Sequence, residues 1–240
     1  MADNYSGKWK VAIIGAGHLG SLLASRMPGS TRKVIISADK AQAQLLADEV
    51  GGVAADSMSA VRGCRAVFLA LAGQAVRPAV QEIAPHLSDA ALVVNMCRDV
   101  TTIDLASEFP QLRFAAAKVI GHPREMSMGS PGVVVLDHVQ PDDEELLHAL
   151  LEGLGHTIHE REATVNEAMK AVADVMTRAE AELRKRLVEI GLGHELAQAA
   201  VATAGPGVLR ALAEGSADGL RFTAEEGQAA SEGERTHHSH

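Results

Sequence analysis

The stretch KVAIIGAGHLGSLLASRM, residues 10–27, decides the fold class. Its first part, Lys10 to Gly15, is a short apolar run that stops at a glycine, as a buried parallel strand does. From His18 to Met27 the spacing becomes helical, with Leu19, Leu22, Leu23 and Met27 on one face. Between the two lies Gly15-Ala16-Gly17-His18-Leu19-Gly20, a G-x-G-x-x-G pattern with a strand before it and a helix after it. That context is what gives the pattern meaning. Gly15 permits a tight turn, Gly17 lets a pyrophosphate approach the backbone, and Gly20 allows the helix to pack closely on the strand. The helix N-terminus offers unpaired N–H groups and a positive dipole end to phosphate. Gly15, Ala16, Gly17, His18, Leu19 and Gly20 are therefore candidate dinucleotide contacts. The plain alternative is a glycine turn that holds no ligand.

Outward from this unit, strands and helices alternate. Strands are expected at Lys33–Ser37, Arg65–Ala72, Ala91–Met96, Arg113–Val119 and Val133–Leu136, with a short run at Thr157–His159. Helices are expected at Asp39–Val50, around Val76, Val80, Ile83 and Leu87, near Ile103–Phe109, and at Asp142–Leu154. This alternation implies an α/β fold with a doubly wound, mostly parallel sheet of the Rossmann type. From about Ala163 the pattern changes. Val165, Ala168, Val172, Val175, Ala179, Leu183, Leu187 and Ile190 recur every three or four residues, predicting one long helix that Gly191 and Gly193 end. A second helix is expected over Glu195–Thr203, and a break at Gly205-Pro206-Gly207 sets off a third, Val208–Ala213. The expected organisation is a dinucleotide-binding domain over 1–160, a small helical domain over 161–222 and a disordered tail over 223–240. A helical segment of about 60 residues is marginal as an independent core. A homodimer through these helices is therefore expected.

Composition narrows the function classes. Aromatic residues make up 2% of the chain and the net charge is −9, which suits neither base stacking nor a phosphate-backbone surface. No apolar run approaches the roughly 20 residues of a membrane span, and the first strand comes too soon for a signal peptide. Cys64 and Cys97 are the only cysteines, each in or beside an apolar run, so free thiols and a cytoplasmic protein are expected. No zinc-ligand spacing, P-loop lysine or nucleophile elbow is present. His237, His238 and His240 read as part of a solvated tail.

The end of the second strand distinguishes NAD from NADP. An acidic residue about 20 positions after the glycine loop binds ribose hydroxyls and repels a 2′-phosphate. Asp39 stands in that range and favours NAD, although Lys40 beside it offers an ammonium to a phosphate. Asp39 equally suits the cap of the following helix.

The order of elements and the helical segment after them resemble pyrroline-5-carboxylate reductase and the wider 6-phosphogluconate-dehydrogenase-like group, over roughly residues 10 to 220. In that reductase family a strand ends in a pattern like LAVKPQ, and Leu69-Ala70-Leu71-Ala72-Gly73-Gln74 occupies the place. The next strand ends in Asn95, Met96 and Cys97. The resemblance implies that Ala70, Leu71 and Asn95 line a cofactor trough. Other parts depart from the family. Ile120-Gly121-His122-Pro123 replaces its Pro-Asn-Thr-Pro segment, and Ala173 to Thr177 replaces its Ser-Gly-Ser-Gly-Pro helix start. The glycine-rich threonine motif has no counterpart, so a proline-biosynthesis enzyme is not implied.

Asn166, Lys170 and Asp174 fall four apart and form one polar stripe on the long helix. In the related β-hydroxyacid dehydrogenases this helix carries a catalytic lysine with an asparagine four residues later. Lys170 matches the lysine, and Asp174 stands where the asparagine would be. An exposed Lys–Asp pair on a solvated face is the plain alternative. His122, in a Gly-His-Pro turn, is the other candidate proton donor, with Lys118, Arg124 and Glu125 around it available to a carboxylate. The expected activity is NAD(P)-dependent hydride transfer to or from a small imine, keto acid or hydroxy acid. A non-catalytic dinucleotide-binding protein with a decayed substrate site, or a hydride relay between two cofactors, are the competing readings.

Overall fold

The computed structural model describes residues 9–213, so the expected tail at 223–240 lies outside the described residues. The described residues divide into two compact units, one up to Lys170 and one from Ala171.

The first unit is built on one sheet. Its strands are β1 (Lys10–Ile14), β2 (Arg32–Ile36), β3 (Val53–Ala55), β4 (Ala66–Leu69), β5 (Leu92–Asn95), β6 (Arg113–Ile120), β7 (Gly132–Asp137) and β8 (Gly155–His159). The spatial order is β3-β2-β1-β4-β5-β6-β7-β8. Pairing is parallel from β3 through β6, antiparallel between β6 and β7, and parallel again between β7 and β8. The chain leaves β1 toward one edge through β2 and β3, then crosses back to β4 on the other side of β1. The reversal between β1 and β4 is where doubly wound sheets open a crevice for ligands.

Among the described residues eight α-helices are present: α1 (His18–Arg26), α2 (Lys40–Val50), α3 (Gly73–Ile83), α4 (Thr102–Glu108), α5 (Pro123–Ser127), α6 (Pro141–Leu151), α7 (Glu162–Glu189) and α8 (His194–Ala213). The two-residue period of the strands separates the core into two layers. Val11 and Ile13 of β1 join Leu22 and Leu23 of α1, Leu46 of α2 and Leu147 of α6. Ala12 and Ile14 join Val76, Val80 and Ile83 of α3 with Leu105 of α4 on the opposite face. Burying each of these Leu, Ile and Val side chains contributes about 1.5–3 kcal/mol. With so few aromatic residues, aliphatic interdigitation supplies almost the whole core. Cys64 and Cys97 are both buried free thiols, and burial pushes the Cys64 thiol up to about 11.

Three features differ from the sequence reading. β3 was not expected; it is three residues long and lies at the sheet edge, too short to show a period. α5 occupies part of what reads as a turn, with Pro123 at its first position, where a missing N–H does no harm. α8 runs unbroken through Gly205-Pro206-Gly207 rather than splitting in two. Proline removes one helical hydrogen bond, and the alanine-rich segments on either side have propensity enough to carry the helix across it.

In the second unit, α7 ends at a left-handed Gly191, φ +95°. The N–H groups of Gly191 and Leu192 return to the Val188 and Leu187 carbonyls. The surface of α7 is laced by ion pairs four apart, Glu180–Arg184, Glu182–Arg186 and Lys185–Glu189. Among the described residues no helix is long and apolar enough to cross a membrane.

Candidate functional site

The three glycines of the β1–α1 loop are not equivalent. Gly15 has φ +107°, and a Cβ there would fall 2.2 Å from the Ala70 carbonyl oxygen. A Cβ on Gly20 would fall 1.8 Å from the Gly15 carbonyl oxygen. These two are demanded by how closely β1, α1 and the end of β4 approach one another. Gly17 is different: its φ and ψ of −73° and −172° suit any residue, and a Cβ would meet nothing within 4 Å. It is the N-cap of α1, no side chain caps that helix, and no acidic residue stands in its first turn. The first N–H groups of a nine-residue helix therefore face open space beside an exposed glycine. That cradle fits the phosphates of a dinucleotide.

Two cavities flank the loop. One, of about 450 Å³, is lined by Gly17, His18, Ser21, Arg26, Gln42 and Arg124, among others. The other, of about 230 Å³, is lined by Leu19, Leu71, Met96, Cys97, Arg98 and Gly121, among others. His18 and Leu19 thus face different cavities, while Ala16 is buried beneath the loop. Ala70 donates its N–H to the Ile14 carbonyl at 2.9 Å and presents its own carbonyl to Gly15. Asp39 caps α2, its Oδ1 accepting from the Gln42 N–H at 3.0 Å. A carboxylate has acceptor capacity beyond one such bond. Lys40 is exposed and paired with Asp56 at 3.4 Å.

Asn95 does not join the lining. It is fully buried, and its Nδ2 donates to the Val100 carbonyl at 2.8 Å and to Thr102 Oγ1 at 3.1 Å. Its Oδ1 accepts from the Cys97 N–H at 3.0 Å. Asn95 thereby shapes the turn that carries Cys97, Arg98 and Asp99 to the cavity wall.

Beneath that turn lies a buried polar network that the sequence reading missed. Lys118 is 1% exposed, and its Nζ pairs with Glu162 Oε2 at 3.2 Å. The same ammonium donates to the Cys97 carbonyl and, at 3.4 Å, to that of Val100. Glu162, the first residue of α7, accepts from the Thr102 N–H at 2.6 Å and from Thr102 Oγ1 at 2.9 Å. Its own N–H donates to Asp137 Oδ2 at 2.9 Å. Desolvation by burial holds the Lys118 pKa below its ordinary value, with the Glu162 carboxylate pulling the other way. Lys118 therefore does not stand beside His122 as a carboxylate-binding group. β6 continues to Ile120, so Lys118 lies inside the strand, and its side chain takes the face opposite Val119. The available signal was a single cation, Lys118, within the apolar run FAAAKVI, residues 114–120.

His122 is exposed and caps α5, its carbonyl accepting from the Met126 N–H at 3.0 Å. Its neighbours Gly121 and Pro123 line the smaller cavity. Asn166 donates from Nδ2 to the Arg98 carbonyl at 2.8 Å, which ties the start of α7 to the cavity wall. Asn166 Oδ1 is buried with no hydrogen-bond partner among the described residues. Lys170 follows one turn later, exposed, as the last residue of the first unit; Asp174 is exposed and belongs to the second. Among the described residues no hydrogen bond or ion pair joins Lys170 to His122.

Residues 10–98 match the family model described as NADP oxidoreductase, coenzyme F420-dependent. Curated proteins provide no match to the sequence. Solved structures do share the fold. A pyrroline-5-carboxylate reductase from Coxiella burnetii superposes with a TM-score of 0.69 at 15% identity, covering 97% of this chain and 92% of that one. An imine reductase from Myxococcus stipitatus, in complex with NADP+, gives 0.64 at 19% identity over 85% and 75%. The 3-hydroxyisobutyrate dehydrogenase of Mycobacterium tuberculosis gives 0.62 at 18% identity over 77% and 67%. By sequence over residues 10–98, and by fold over most of its length, the chain is similar to this group of oxidoreductases.

Proposed function

We propose that the chain is a nicotinamide-dependent oxidoreductase acting on a small imine, keto acid or hydroxy acid. One observation carries the reading: Gly17 faces open space at an uncapped helix start, while Gly15 and Gly20 are accounted for by packing alone. The first turn of α1 would hold the pyrophosphate, and the carboxylate of Asp39 would favour the cofactor without a 2′-phosphate. A bound nicotinamide supplies or takes up the hydride. Leu71, Met96 and Cys97 give the smaller cavity an apolar wall that keeps water from the transferring carbon. Asn166 fixes the start of α7 against Arg98, and Lys170, one turn on, donates the proton to substrate nitrogen or oxygen. Asp174 stands four residues further along the sequence; His122 is the alternative donor from the rim.

A second reading, hydride relay to a deazaflavin, is favoured by the match of residues 10–98 to a coenzyme F420-dependent family. Single-turnover oxidation of bound NADH and NADPH separates the two, with imines, keto acids and a deazaflavin offered as acceptors. Oxidation by an imine or keto acid, slowed at least tenfold in Lys170→Ala, is the expected result. Oxidation by deazaflavin alone supports the relay. Tight NADH binding without oxidation by any acceptor means that the site binds but does not turn over.

A further inference from the structure

The geometry points to a transition-metal site at the far edge of the sheet, formed by Glu144, His148 and His159. Glu144 and His148 are one turn apart on α6 and share a face, and α6 lies against the edge strand β8, whose last residue is His159. His159 Nε2 is 3.3 Å from Glu144 Oε2, and His148 Nε2 is 3.8 Å from the same oxygen. Each residue offers a ligand atom, and the three atoms all lie within 4.8 Å of one another. A zinc ion holds such ligands at about 2.0–2.2 Å, which sets tetrahedral neighbours roughly 3.3–3.5 Å apart. Small rotations of three half-exposed side chains complete that geometry.

Two further contacts show that the cluster is pre-arranged. Thr157 Oγ1 stands 2.7 Å from His148 Nδ1. That hydroxyl can accept from Nδ1–H, the arrangement that leaves the lone pair on Nε2 for a metal, as an outer partner does for a metal-bound histidine. The helix bearing two of the ligands is itself fixed. Asp143, fully buried, is clamped by Arg65 at 2.8 Å and by Arg113, so the first turn of α6 cannot roll away from the sheet.

Two imidazole nitrogens and one carboxylate suit Zn2+ or a similar divalent transition ion, and not Mg2+ or Ca2+, which require oxygen. Three protein ligands leave a fourth position for water. β8 is five strands from β1 in the sheet order, about 24 Å at ordinary strand spacing, so this site is separate from the dinucleotide cradle. No ligand spacing announces it in the sequence, because the helix and the strand meet only in the fold.

The test is calorimetric titration of the full chain with ZnCl2, alongside a full chain whose His237, His238 and His240 are replaced by alanine. One Zn2+ per chain should bind in both, with a rise in Tm. Affinity should fall at least tenfold in His148→Ala, His159→Ala and Glu144→Gln, and measurably in Thr157→Val. It should be unchanged in His156→Ala, whose side chain alternates to the other face of β8. Three separate ligand variants keep the test valid if one of them fails to fold by circular dichroism. Zinc binding that disappears with the tail histidines, or persists undiminished in the folded ligand variants, overturns the site. So does no binding at all, which leaves the cluster as a carboxylate paired with two imidazoles.

Discussion

Lys118 and Glu162 show how much one buried pair can organise. The ammonium lies under the β5–α4 turn, and the carboxylate holds the first N–H of α4, so the pair fixes the wall of the smaller cavity from below. Removing one partner strands the other in the core, which costs about 3–5 kcal/mol, whereas replacing both with apolar residues costs much less. Glu162→Gln and Lys118→Met should each lose about that amount in urea unfolding, and a Lys118→Met/Glu162→Leu chain should recover most of it. The pH dependence carries a sign. Burial lowers the Lys118 pKa from 10.5, so in the alkaline window just below that value the unfolded chain binds more protons than the folded one. Stability contributed by this group therefore rises with pH through that window, and Lys118→Met should abolish the rise.

At the scale of elements, legibility followed period and length. β1, β2 and β5 are buried on both faces and end where their apolar runs meet glycine or polar residues, so they could be read directly, whereas β4 stops at Leu69 although its apolar run goes on to Ala72. β3 and α5 are too short to display a period, and their formation depends on neighbours rather than on their own sequence. The Gly-Pro-Gly in α8 misled for the opposite reason: local breakers were outweighed by the alanine-rich helix around them. At the site, the strand, glycine turn and helix over residues 10–26 were legible because they are contiguous. Asn95 was placed in the right region but turned inward, since its amide serves the turn after β5. The role of Lys118 was hidden because its partner Glu162 belongs to the helix after β8, and Thr102 meets that carboxylate across 60 residues of chain.

At the scale of the whole molecule, the second unit leaves apolar side chains uncovered. Leu183, Val208 and Leu209 are exposed, and with Met176 and Leu187 they line a groove of about 590 Å³ between α7 and α8. We propose that a second copy of the chain covers this face, because the two helices described in this unit cannot by themselves bury their hydrophobic stripe. Light scattering at micromolar concentration should give a dimer mass, and Leu183→Glu with Leu209→Glu should give a monomer that retains the first unit's fold. A monomeric wild-type chain would sink the proposal.

If the β1–α1 loop is the dinucleotide cradle proposed above, Gly17 tests it most directly. Its backbone suits a branched side chain, and the space around it is empty, so Gly17→Val should keep its stability to within about 1 kcal/mol. The measurement is the Kd for NADH and for NADPH, in wild type and in Gly17→Val. The wild type should bind a dinucleotide, NADH the more tightly, and the folded variant should bind at least tenfold more weakly. A wild-type chain that binds neither cofactor, or a variant that binds as well as its parent, would contradict the account.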